Sequence, residues 1–96
     1  MNNYEIMFIV KTTLEESVVK STVESLKNII TDMNGKLTGS KDMGQRELAY
    51  PINKEITGFY YVITVEASNE AIAEFDRKAR LNENVLRHQV IRLDEE

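Results

Sequence analysis

An α+β sandwich, with two helices on one face of a four-stranded antiparallel sheet, is the fold this sequence predicts. Three observations carry it. Runs rich in aromatic and β-branched residues, at 4–11, 36–50, 58–66 and 85–92, read as strands. Two intervening segments repeat apolar residues at alternating three- and four-residue spacing, which is one face of a helix. The resulting order is strand, helix, strand, strand, helix, strand. Two right-handed crossovers around a hairpin give the split βαβ, or ferredoxin-like, arrangement. A chain of 96 residues is expected to form one such domain, residues 1–96.

The first strand is bounded by polar clusters. After it, Thr13 with Glu16 three positions on predicts a capping box, and Glu15 and Glu16 suit a helix N-terminus electrostatically. Val19, Val23, Leu26, Ile30 and Met33 form the apolar face of that helix. Glu16 and Lys20 support its outer face. Asn34-Gly35 is the expected stop, with the glycine in the left-handed position. The second strand is interrupted by Gly39 and Gly44 and is expected to end at Pro51, which cannot donate to a ladder. Ser68 or Asn69 caps the second helix, whose Ile72, Phe75 and Ala79 share a face. Asn82-Glu83-Asn84 reads as the turn into the fourth strand.

Alternation assigns Tyr4, Ile6, Phe8 and Val10 of the first strand, and Phe59, Tyr61, Ile63 and Val65 of the third, to the core beneath the helices. Met7, Ile9, Tyr60 and Val62 then point to the face that no helix covers. A contiguous apolar group there marks a partner-binding surface. The alternative is that long side chains such as Arg87 lie over it. Phe59 and Tyr61, facing the core, cannot stack bases, and the segment Thr57-Gly58-Phe59-Tyr60-Tyr61 lacks the basic residue of an RNA-recognition strand.

The net charge of −4 argues against a chain that grips nucleic acid alone. The charge is unevenly placed, however. Arg77, Lys78, Arg80, Arg87 and Arg92 face only Glu83 over residues 77–92, with opposing acid at Asp94-Glu95-Glu96. These five are the candidate RNA contacts if they form a continuous patch. Arg80 and Arg87, bracketing the turn, are the preferred phosphate contacts. Their alternative role is solvation and pairing with nearby acids.

The absence of cysteine removes disulfides and thiolate chemistry and fits a reducing compartment. No apolar run approaches the ~20 residues of a membrane helix, and no secretory signal is recognisable. A cytoplasmic protein with no membrane partner is expected. His88 is the only histidine, and is read as a sheet-face residue rather than a base or metal ligand. Gly35, Gly39, Gly44 and Gly58 form no phosphate loop. No catalytic residue, metal site, cofactor or small-molecule substrate is expected.

The segment Lys41-Asp42-Met43-Gly44-Gln45-Arg46-Glu47-Leu48-Ala49-Tyr50-Pro51-Ile52-Asn53-Lys54 resembles the signature of the bacterial small-subunit ribosomal protein six family. Tyr4-Glu5-Ile6-Met7-Phe8-Ile9-Val10 and Asn84-Val85-Leu86-Arg87-His88-Gln89-Val90-Ile91 resemble it at matching positions, so the likeness spans nearly the whole chain. The resemblance implies a non-catalytic assembly platform in the small ribosomal subunit. It implies binding to the central domain of small-subunit ribosomal RNA as a heterodimer with the basic ribosomal protein eighteen. The chain departs from the family at Met43, often Trp, at Glu47, often basic, and at Asn2 and Asn3, commonly basic. Those departures point to greater reliance on the partner for RNA affinity. The competing readings are a stand-alone protein–protein module and an acylphosphatase-like enzyme on the same fold; fold alone does not separate them.

Overall fold

A computed structural model describes residues 1–93; the acidic end Asp94-Glu95-Glu96 lies outside the described residues. Six elements follow in order: β1 (Asn2–Lys11), α1 (Glu16–Asp32), β2 (Lys36–Ile52), β3 (Glu55–Ala67), α2 (Asn69–Leu81) and β4 (Val85–Arg92). The sheet order is β2-β3-β1-β4, and every neighbouring pair is antiparallel. β1 and β2 therefore run parallel with β3 between them, which is the predicted split βαβ topology.

The core forms where the predicted faces meet. Ile6, Phe8 and Val10 of β1, Ile63 and Val65 of β3, Leu26 and Ile30 of α1 and Phe75 of α2 are fully buried. The Phe8 ring stacks on Tyr61 at 5.5 Å and tilts against Phe75 at 6.4 Å. Met33 and Ile72 pack half-buried at its edge.

Caps differ in detail from the expectation. α1 starts at Glu16, and Glu15 occupies the N-cap position without a side-chain bond. Its carbonyl instead accepts the amides of Val18 and Val19, both at 3.0 Å. Thr13 lies too far upstream to close a capping box. At the other end Asn34, not Gly35, takes the left-handed conformation, with φ 68°. The amides of Asn34 and Gly35 donate to Thr31 and Ile30 carbonyls at 3.1 and 2.9 Å, a Schellman closure. Gly35 is required for space: a Cβ there meets Ile30 Cγ2 at 2.6 Å. Ser68 caps α2 through its Oγ, which accepts the Ala71 amide at 3.1 Å. Asn69 is thereby left to accept the Tyr4 hydroxyl at 2.7 Å.

β2 does not stop at Pro51. It continues to Ile52, and Asn53 and Lys54, with φ 50° and 69°, make a two-residue hairpin turn into β3. Proline is tolerated because β2 is an edge strand. From Glu47, opposite Thr57, to Ile52, opposite Glu55, β2 advances five residues (47 to 52) while β3 covers two (57 to 55). The surplus at residues 48–51 leaves the ladder as a bulge.

Candidate functional site

Cross-strand register gathers the four residues expected on the uncovered face. Met7 lies opposite Val62 and Ile9 opposite Tyr60, so the two pairs form one block at the centre of the sheet. On the β4 side Met7 faces Gln89 and Ile9 faces Arg87. Both helices pack against the other face.

The block is not uniformly open. Ile9 is only 3% exposed, while Met7, Tyr60 and Val62 are half-buried. The cause is the bulge, which brings Leu48 and Tyr50 over one end of the face. Gly58 makes this closure possible: a Cβ there meets Ile9 Cγ2 at 2.3 Å and Leu48 Cδ2 at 3.5 Å. The expectation of an exposed Ile9 is thus corrected; it supports the surface from beneath. A cleft of about 220 Å³ remains between the bulge and the sheet, lined by Met7, Leu48, Tyr60 and Arg87 among others. The Arg87 guanidinium lies 5.2 Å from the centre of the Tyr50 ring, whereas the alternative reading sets it over Met7, Ile9, Tyr60 and Val62. Tyr50 remains 53% exposed, and Ile56 near the hairpin tip 65%. The unalternating Leu48-Ala49-Tyr50 ahead of a proline was the available signal that this segment leaves the ladder.

The basic segment does not form one continuous patch. Arg77 makes a two-pronged bond to Glu74, Nε to Oε1 at 3.1 Å and Nη2 to Oε2 at 2.9 Å. The Lys78 ammonium lies 3.3 Å from the same carboxylate. Arg80 pairs with Asp76, which also meets His88 Nε2 at 2.7 Å. Arg92 donates to Asn2 Oδ1 at 3.1 Å. Arg87 has no ion pair among the described residues, and it sits across the sheet from α2. Strand alternation explains the separation: His88 points toward Phe75 and Asp76 of α2, so its neighbour Arg87 points away. Glu74 and Asp76 precede the basic window by one helical turn or less, and their three- and four-residue spacing to Arg77, Lys78 and Arg80 was legible as pairing.

These pairs perturb both acids. The bond from Arg77 chiefly holds the Glu74 carboxyl below its ordinary value, with Lys78 adding to the effect. The bond to His88 chiefly lowers Asp76, followed by the nearby Arg80 charge. The His88 side chain is 14% exposed and meets Phe75 edge-on at 6.2 Å. It is a packing residue between β4 and α2, on the opposite face from Arg87. Among the described residues no three His, Cys, Asp or Glu side chains converge as metal ligands, and no helix is long and apolar enough to cross a membrane.

The family model for Ribosomal protein S6 matches residues 3–92, nearly the full span of the sheet and both helices. The chain is similar to the crystal structure of 30S ribosomal protein S6 from Thermotoga maritima. That likeness has a TM-score of 0.90 and 31% identity, covering 96% of this chain and 87% of that one. An uncharacterized protein from Thermotoga maritima is similar at a TM-score of 0.63 and 16% identity, with 97% and 98% covered, which shows the shared fold alone. The residue pattern, the strand order and the extent of these matches agree, and the chain belongs to the ribosomal protein S6 family, proteins of the cytoplasmic small ribosomal subunit.

Proposed function

We propose that this chain is a non-catalytic assembly protein that binds the central domain of small-subunit ribosomal RNA as a heterodimer with ribosomal protein eighteen. The observation that carries this reading is the apolar block of Met7, Tyr60 and Val62, backed by Ile9, on a sheet face that neither helix covers. Apolar surface of that kind is stabilised by a protein partner. The hairpin extends the surface with Tyr50 and Ile56.

Charge supports the division of labour. At a net charge of −4 the chain alone is repelled by phosphates, and a basic partner reverses the sign of the complex. Arg87 is the leading RNA contact, since its guanidinium rests on Tyr50 without an acid partner among the described residues. Arg80 remains a candidate, because its pair with Asp76 is exposed and such pairs contribute only about 0–1 kcal/mol, little enough for a phosphate to displace. Arg77, Lys78 and Arg92 stand behind these two.

Sedimentation with small subunits at high magnesium tests the proposal. The tagged chain is expected to pellet with the small subunit and to depend on ribosomal protein eighteen for retention. A chain that stays in the supernatant, or that pellets equally well without the partner, contradicts it.

A further inference from the structure

A second cleft, of about 640 Å³, lies on the helix side of the sheet between α1 and the edge strand β2. Its volume is in the range of ligand-binding clefts, roughly 300–1,000 Å³. It opens where residues from α1, β2 and β3 converge without filling the space between them. The walls are apolar: Leu14, Val19 and Val23 from the α1 side, Phe59 and Tyr61 from β3. Phe59 and Tyr61 are only half-buried, although both point to the face that the helices occupy. At the bulge in β2, Gly44 adopts φ 82° and contributes no side chain; a Cβ there has nothing within 4 Å, so the mouth stays open.

The rim is acidic. Glu16, Glu24 and Asp42 line it with Lys20 as the one cation. The Lys20 ammonium lies 3.8 Å from Glu16, leaving Glu24 and Asp42 without ion pairs among the described residues. One Asp42 oxygen accepts the Gly44 amide at 2.8 Å, and the other is available. Burial, and secondarily the Asp42 charge, raises the Tyr61 hydroxyl above its ordinary value.

We propose that this cleft docks a basic peptide segment, which inserts an aliphatic side chain between α1 and β3 and sets an arginine or lysine against Glu24 and Asp42. Apolar walls beneath unpaired carboxylates favour a segment in which apolar and basic residues alternate, and they disfavour an acidic one through like-charge repulsion. The site lies on the opposite face of the sheet from Met7 and Tyr60, so it is independent of the heterodimer surface.

The test is an NMR titration of the whole chain with a capped hexapeptide alternating leucine and arginine, beside one alternating leucine and glutamate. Only the arginine peptide is expected to shift the Val19 and Val23 methyls and the Phe59 and Tyr61 rings. Combining Glu24→Lys with Asp42→Asn is expected to weaken binding by about five- to tenfold, the scale of two exposed charge contacts. Both positions are exposed, and asparagine preserves the acceptor for the Gly44 amide, so the fold is retained. Absent shifts at these residues, equal binding of the glutamate peptide, or wild-type binding by the variant overturns the proposal. Shifts confined to Met7 and Tyr60 overturn it equally, by placing the peptide on the other face.

Discussion

At Gly58 a missing side chain shapes the surface proposed to meet a partner. It lets Ile9 and Leu48 approach one another across the sheet face, which leaves Ile9 buried and Tyr60 half-buried. A comparable single-residue distinction separates Arg87 from Arg80. Arg87 stacks on an aromatic ring, whereas Arg80 is held by Asp76. Each phosphate contact contributes about one unit to the salt dependence of RNA binding. Salt titrations of the heterodimer–RNA complex are therefore expected to lose about one unit of slope in Arg87→Ala and less in Arg80→Ala. Wild-type slopes in both variants would assign these arginines to the solvated surface. Five basic residues were readable as a run; that alternation and helix phase distribute them over two faces was readable only in part.

At the scale of elements, periodicity was a good guide wherever one face is buried. The expected faces of β1, α1 and α2 are those in the core, because a one-residue slip of the strand or a half-turn of either helix would carry its apolar set to solvent. Leu26 is 1% exposed beneath β1 and β3, and Leu26→Ala is expected to destabilise the fold by about 2–5 kcal/mol. Chemical denaturation measures this, and an unchanged midpoint would mean that the site tolerates the cavity without loss. The course of β2 was less legible. Its register shifts break the period of two that identifies a strand, and as an edge strand it accepts Pro51 where a central strand would not. The hairpin was also hidden, since Asn53-Lys54 adopts positive φ at both residues without the glycine that marks such turns. The cleft cover formed by Leu48 and Tyr50 follows from that bulge, so it was hidden with it.

For the molecule as a whole, acid stability and partner dependence are the measurable consequences. Glu74 and Asp76 are more acidic in the folded chain than their ordinary values of 4.5 and 3.8. Their pairing contributes stability that is fully present above those values and is lost as pH falls through the lower folded-state values. The thermal midpoint is expected to fall with acidification below about pH 4, and less steeply in Asp76→Asn. Parallel acid limbs for the two proteins would show that the His88 and Arg80 contacts do not sustain the fold.

The uncovered sheet face is proposed to receive a protein partner, with Tyr60 as the aromatic anchor at the centre of the apolar block. Titration calorimetry of ribosomal protein eighteen against the chain and its folded Tyr60→Ala variant measures this directly. Aromatic anchors at interface centres contribute about 2 kcal/mol or more, so the variant is expected to bind at least about thirtyfold more weakly while its circular dichroism is unchanged. Undiminished affinity in a folded Tyr60→Ala chain would contradict the assignment of this face to the partner.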